Sequence, residues 1–375
     1  MFDVLREFET DILRCLRCAE CHAGCPVYQD DINESYAARG KLRLMRAVMD
    51  GEIELTEGVM ERINRCLNCN ACMARCPAGL DTDMLIIRAR CEMRDAGIPV
   101  PENLAAVRAN IAEHRNPFGL PFSERGGWAP PEALERRSDL VYFAGCAVSY
   151  SQNRMAKAAL RLLDGADVEY AALGPDERCC GDPVRRMGLE REAEQLVAEN
   201  REALRARGAK TVFTSCAGCT KTLKSTLGDE FEVLHVTELL VRMANEGRIA
   251  FEKAFPKKVV YVDGCDLGRH AGVYEAPRDL LARLPEVEML EMPDNRDKAI
   301  CCGGPFVAAY PELAKKFALA RIETALSIGA EVIAVACPTC LINLKEGAKS
   351  LEGDRRIDIQ EVATLLQRSA KPVKK

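Results

Sequence analysis

Residues 209–224 read AKTVFTSCAGCTKTLK and residues 330–345 read AEVIAVACPTCLINLK, and the two align without a gap. Each opens with a β-rich run, Thr211–Thr214 in the first and Val332–Ala336 in the second. Each then breaks at a C-x2-C and continues in residues that suit a helix. A strand handing over to a helix through a short turn is the building block of a parallel α/β sheet. Outward from this pair the likeness continues. Val141-Tyr142-Phe143-Ala144-Gly145-Cys146 resembles Val260-Tyr261-Val262-Asp263-Gly264-Cys265, and Cys179-Cys180-Gly181 resembles Cys301-Cys302-Gly303. Further β-rich runs lie at Leu140–Ala144, Val168–Leu173, Val259–Val262 and Val287–Glu291, with helix-period stretches such as 188–207 and 311–328 between strands. Two repeated α/β parallel-sheet units are expected, at 138–252 and 257–370.

Both units place cysteines in the same way. One follows the first strand, a Cys-Cys-Gly lies in a loop, and a C-x2-C follows a later strand. In a parallel sheet the carboxyl ends of strands form the ligand crevice. Five sulfurs are thus expected to converge in each unit: Cys146, Cys179, Cys180, Cys216 and Cys219, then Cys265, Cys301, Cys302, Cys337 and Cys340. The C-x2-C also begins a helix, whose N-terminal dipole favours thiolate. Gly181 and Gly303 are expected to let the backbone approach a bound group closely. A redox disulfide at each C-x2-C and a structural zinc on four thiolates remain alternatives, although five cysteines repeated twice fit neither simply.

The N-terminal part carries a different repeat. Cys15, Cys18, Cys21 and Cys25 precede Pro26, and Cys66, Cys69, Cys72 and Cys76 precede Pro77, with Arg14-Cys15-Leu16 matching Arg65-Cys66-Leu67. Both runs read C-x2-C-x2-C-x3-C-P, the bacterial ferredoxin spacing for two [4Fe–4S] clusters, in which the fourth cysteine serves the other cluster. The expected sets are Cys15, Cys18, Cys21 with Cys76, and Cys66, Cys69, Cys72 with Cys25. Zinc needs neither a third C-x2-C step nor a trailing Cys-Pro. Leu42, Met45 and Met49 recur at helix spacing, Thr56 caps the stretch toward Cys66, and Asp81 or Thr82 caps a helix to about Asp95 with Gly97 beyond it. On that helix Met84, Ile87 and Cys91 share a face, and Cys91, outside the four motifs, reads as a small buried hydrophobe. The fold class is therefore a helical two-cluster domain (1–114), then a linker (115–137) rich in Gly and Pro, then the two α/β units. Trp128, Phe118 and Phe122 are expected to pin the linker onto a domain surface.

The composition narrows the class. Hydrophobic residues at 48% and charged residues at 29% are ordinary for a globular chain, and 375 residues allow two or three domains. With a net charge of −5 and no basic run apart from the tail Lys371, Lys374 and Lys375, nothing points to nucleic acid. No apolar stretch reaches the roughly 20 residues of a membrane helix, and Met1-Phe2-Asp3-Val4 lacks a secretory layout. A cytoplasmic protein is expected, peripheral to a membrane only through a partner. Nineteen cysteines in such a chain read as metal binding or catalysis rather than as a secreted disulfide framework.

Together these motifs resemble the heterodisulfide reductase family over nearly the whole chain. The repeated C…CCG…C-x2-C units look like the B subunit of such enzymes, the N-terminal domain looks like the C subunit, and the fusion in this order looks like the D subunit. The iron–sulfur subunits of glycolate oxidase and anaerobic glycerol-3-phosphate dehydrogenase are similar. The resemblance implies a noncubane [4Fe–4S] cluster on each five-cysteine set, beside the two cubane clusters of the ferredoxin-type motifs. It implies a disulfide substrate, coenzyme M joined to coenzyme B, held between the two sets and cleaved with one sulfur taken at each. Where members of the family often have Pro-Cys-His, this chain reads Gly264-Cys265-Asp266, so an imidazole proton donor is missing there; His270 is a candidate substitute. His22 is expected to shield the first cluster, and His235 to sit at a strand end. Arg185, Arg186 and Arg269 are candidates to steer an anionic substrate. The absence of G-x-G-x-x-G and P-loop runs implies a redox protein partner, a flavoprotein or a b-type cytochrome subunit. The alternative function is an electron-transfer subunit of a flavin-dependent dehydrogenase acting on glycolate, lactate or glycerol phosphate.

Overall fold

The computed structural model describes residues 4–353 and 355–370. The tail lysines and Met1 to Asp3 lie outside them. The N-terminal region is helical, with its principal helices at Ala38–Met49, Glu57–Asn64, Thr82–Asp95 and Glu102–His114. Two of these begin at the expected caps: the Thr56 hydroxyl accepts from the Val59 N–H, and the Asp81 carboxylate accepts from the Met84 N–H. Leu42, Met45 and Met49 are buried as their spacing predicts. On Thr82–Asp95 the buried stripe is instead Leu85, Ile86, Ala89 and Met93, and Met84, Ile87 and Cys91 are only half-buried. This helix carries two apolar stripes, and periodicity alone does not say which one meets the core.

Among the described residues eight strands follow: β1 (Leu140–Tyr142), β2 (Ala171–Ala172), β3 (Thr211–Thr214), β4 (Glu232–His235), β5 (Lys258–Tyr261), β6 (Glu288–Leu290), β7 (Val332–Val335) and β8 (Asp358–Glu361). They form two parallel sheets in the same order, β2-β1-β3-β4 and β6-β5-β7-β8. The expected run Val168–Leu173 shrinks to two paired residues. The outer strands β4 and β8 were not legible, because Glu-Val-Leu-His and Asp-Ile-Gln-Glu are too short and polar to register.

In both sheets the chain moves outward one way to the second strand and the other way to the last two. The crevice of such a sheet opens where that direction reverses, between β1 and β3 and between β5 and β7. The cysteine-bearing loops follow those strands.

The repeats share one core. Helices Asn153–Gly165 and Val236–Asn245 of the first pack on Glu275–Ala282 and Val362–Ser369 of the second. Leu160, Leu163, Leu240, Leu280 and Leu366 are buried there, each contributing roughly 2 kcal/mol by leaving water. The Gly- and Pro-rich segment is a packed strap rather than a loose linker. Trp128 stands edge-on to Tyr142 with centroids 5.3 Å apart, and the Arg178 guanidinium lies over Phe122. Phe118 is exposed. Among the described residues no helix is long and apolar enough to cross a membrane.

Candidate functional site

The two ferredoxin-type loops take the same shape. Arg17 and Ala19 in the first, and Asn68 and Asn70 at the matching places in the second, all have left-handed backbone. This coils each loop so that its cysteines face inward. Cys25 and Cys76, each followed by proline, leave their own loops. Cys15, Cys18, Cys21 and Cys76 line one small cavity, and Cys25, Cys66 and Cys69 line its neighbour; Cys72 borders both. Cys18 is exposed, whereas Cys69 is buried. His22 stacks on Tyr28 at 4.1 Å and its Nε2 lies 3.0 Å from Glu34 Oε2, which covers the first loop. Lys41, unremarked in the sequence, is buried and donates to the Tyr36 carbonyl beside the second cavity. Burial pulls its pKa down, while Cys66 and Cys25 favour its charge.

In the first α/β unit Cys146 follows β1, Cys179 and Cys180 follow β2, and Cys216 is the residue before helix Ala217–Leu227, with Cys219 in its first turn. In the second, Cys265, Cys301, Cys302, Cys337 and Cys340 repeat the arrangement, with Cys337 before helix Pro338–Ala348. All ten are buried. Cys302 and Cys340 sulfurs are 3.1 Å apart, and Cys301 and Cys265 sulfurs 3.9 Å. Asn200 and Asn343 hold the Cys-Cys loops by donating to the carbonyls of Cys179 and Cys302 at 3.0 and 2.6 Å.

Gly145, at φ +78°, is the close approach to the thiols: a Cβ there would lie 2.7 Å from Cys219 Sγ. Gly181 and Gly303 also have left-handed backbone, but a Cβ on them would meet Ala193 and Ala314 in the neighbouring helices. They serve helix packing rather than a bound group.

The sites connect. Cys69 of the ferredoxin-type half lies against the Cys301 thiol, and Cys216 lies against Cys337 across the boundary between the repeats. A cavity of about 430 Å³ lies among all three parts. Of the ten cysteines in the repeats, nine line it; Cys301 stands behind, against Cys69. Phe118 and Val307, both exposed, also line it and mark its mouth. Among the described residues no three His, Cys, Asp or Glu side chains close on one point as ligands of a lone metal ion do. The thiols stand around spaces instead. An all-sulfur donor set at helix N-termini, with a glycine where a side chain would intrude, fits anionic iron–sulfur groups.

Four charged groups line the cavity: Arg90, Asp182, Arg186 and Asp266. Arg186 pairs with Asp182 at 2.7 Å and Asp266 at 2.6 Å, and Lys221 pairs with Asp182 at 2.6 Å. Burial alone would raise the Asp182 pKa, but Arg186 and Lys221 more than offset it and hold the carboxyl far below its ordinary value. Asp266 is thus an ion-pair partner. His270 does not replace a proton donor in the cavity: its Nε2 meets the Asn68 carbonyl at 3.0 Å, on the ferredoxin-type half. Arg269 donates to the carbonyls of Cys69 and Ala299, each at 2.6 Å, and joins the halves rather than steering substrate. Arg185 pairs with Glu190 at 3.3 Å. His235 is fully buried at the end of β4 and caps the next helix. Burial pushes the Cys91 thiol up to about 11, consistent with a bystander.

Arg125 and Glu177, like Lys41, gave no signal in the sequence. Arg125, in the strap, is fully buried and donates to Cys146 Sγ at 3.4 Å and to Glu177, also fully buried. Glu177 accepts from the Ala144 and Gly145 N–H groups, each at 2.8 Å. Burial disfavours the Arg125 charge, but Cys146 and Glu177 more than offset this.

Comparison with known proteins agrees with this anatomy. The cysteine-rich domain family matches residues 140–224 and 259–345, and the 4Fe-4S dicluster domain matches residues 11–80. The D subunit of the dihydromethanophenazine:CoB–CoM heterodisulfide reductase of Methanosarcina barkeri is 33% identical over 94% of this chain and 92% of its own. That of Methanosarcina acetivorans is 34% identical over the same shares. The EtfAB:quinone oxidoreductase of Syntrophomonas wolfei is 27% identical, and the match covers 95% of this chain but 58% of that protein. The chain belongs to the family of heterodisulfide reductase D subunits and is an iron–sulfur oxidoreductase.

Proposed function

We propose that the chain reduces a small-molecule disulfide of the coenzyme M–coenzyme B type in the cavity between its repeats. The observation that carries this is the cavity itself, which nine cysteines from two duplicated sites line from both sides. The proposed ligand sets are Cys146, Cys179, Cys180, Cys216 and Cys219 for one noncubane [4Fe–4S] cluster, and Cys265, Cys301, Cys302, Cys337 and Cys340 for the other. Cys15, Cys18, Cys21 and Cys76, and Cys66, Cys69, Cys72 and Cys25, are the proposed ligands of two cubane clusters. When bound, such groups supply electrons one at a time, and a facing pair meets the two-electron demand of a disulfide. The balance is R–S–S–R′ plus two electrons and two protons, giving two thiols.

The chain's own residues do the rest. The apolar mouth at Phe118 and Val307 admits the substrate. Arg186 lies against the cavity with its charge shared between two carboxylates. Asp182 is held ionised, Asp266 is paired, and no histidine is among the described lining residues, so the protons come through the mouth from water. The contacts Cys69–Cys301 and Cys337–Cys216 support an order of electron passage from the ferredoxin-type half to the second repeat and then to the first. A redox protein, flavoprotein or b-type cytochrome, is the proposed donor, approaching near the exposed Cys18.

The test is anaerobic. Cluster-loaded protein is given reduced viologen, and its reoxidation is followed when the coenzyme M–coenzyme B heterodisulfide is added. Turnover that depends on the disulfide is expected. No turnover in protein that carries iron and sulfide for four clusters overturns the reading. It would leave a relay between a flavin dehydrogenase and a quinone or other carrier, a reading favoured by Asp266 being an ion-pair partner rather than a proton donor.

A further inference from the structure

The two five-cysteine sites are not equivalent, and the difference comes from outside the repeat. The strap before the first repeat brings Arg125 onto Cys146, its Nη2 3.4 Å from the sulfur. The side chain is fully buried, and its Nε and Nη1 have no hydrogen-bond partner. Glu177 accepts a hydrogen bond from the same Nη2. In the second repeat the place of Glu177 is taken by Ala299, counting back two residues from the Cys-Cys pair. The counterpart of Cys146, Cys265, faces the Cys301 thiol and is followed by the carboxylate of Asp266. Arg269, beside Cys265, gives Nε and Nη1 to backbone carbonyls and has an unpartnered Nη2 of its own, so the difference between the sites lies in the Arg125 N–H bonded to the Cys146 sulfur.

We infer that Arg125 is a positioning residue of the first five-cysteine site, giving the iron–sulfur group held there a greater electron affinity than its twin in the second repeat. This rests on the ligand sets proposed above. Reduction adds negative charge, and a fixed cation in a buried, low-dielectric place favours the more negative state. A donor on a ligand sulfur acts in the same direction by drawing electron density from the metal. The unpartnered Nε and Nη1 call for acceptors, which the sulfurs of a bound group provide. Since Cys69 touches Cys301 in the second repeat, the greater affinity in the first draws electrons inward past Cys337 and Cys216, so the far site fills first.

The experiment is a potentiometric titration of anaerobic, cluster-loaded full-length chain, monitored by electron paramagnetic resonance. Cys180→Ala identifies the first-repeat signal by its loss. Arg125→Lys keeps a cation, and Arg125→Met with Glu177→Gln removes both buried charges together so that neither is left unpaired. The expected result is a negative shift of the first-repeat midpoint in the double variant and a smaller one in Arg125→Lys. The second-repeat and ferredoxin-type signals should stay in place. An unmoved first-repeat midpoint at full iron content overturns the inference, as does loss of first-repeat iron in every variant including Arg125→Lys, which would leave only a scaffold role. Wild-type chain holding no iron in the first repeat would instead sink the ligand assignment itself.

Discussion

At Gly145 the requirements of backbone and site coincide. Its φ of +78° suits glycine, and the space its side chain would take belongs to Cys219 Sγ. Left-handed backbone alone costs alanine about 1–2 kcal/mol, and the clash falls on a thiol proposed to bind iron. Gly145→Ala should lower iron per chain by the first-repeat share while the far-UV circular dichroism stays that of the folded chain. Full iron content in this variant would show that the loop can yield. The cysteines themselves were legible because spacing encodes ligation. Arg125 and Lys41 were not: each acts on a cysteine distant in sequence, and a lone cation in a loop or helix has no local signature.

The elements carry the duplication further than the motifs do. The last strands of the two sheets end at His235 and Glu361, and each of these residues caps the helix that follows. Burial pushes Glu361 up from 4.5 to about 7, although the Ala363 and Thr364 N–H groups favour its charged form. Between those two values the folded chain holds a proton that the unfolded chain has lost. Stability therefore falls as pH rises through that window, by at most roughly 3 kcal/mol. Glu361→Gln keeps a carbonyl acceptor for the cap and removes the titration. Denaturant melts at stepped pH should then show a flatter decline between about 5 and 7; an undiminished slope would place the titrating group elsewhere. The helices and central strands were readable from apolar period and β-branched runs. The last strands, β4 and β8, were not, since each completes a sheet whose template is already present and needs little sequence of its own.

Across the molecule, the ferredoxin-type half is held by a few buried donors. Arg269 reaches the Cys69 carbonyl, His270 the Asn68 carbonyl, and Arg90 bonds the Asn68 side chain and the carbonyls of Ile63, Asn64, Cys66 and Arg186. Arg269→Met removes the charged hydrogen bond to the Cys69 carbonyl across the joint, at about 2 kcal/mol. Amide exchange should quicken about tenfold or more at residues 66–72, with β4 and β8 unchanged; equal protection at 66–72 would mean that the remaining donors, Arg90 and His270 among them, carry the joint without Arg269. By itself the sequence determined the helical half, the duplicated parallel sheets and eighteen cysteines in four sets, because period and spacing are local properties of a chain. Only the tertiary structure decided that Cys69 meets Cys301, that Cys216 meets Cys337, that one cavity joins both repeats, and that Arg269 and His270 serve the joint. Those relations arise when separately folded surfaces bury one another, and no short-range pattern records which surfaces will meet.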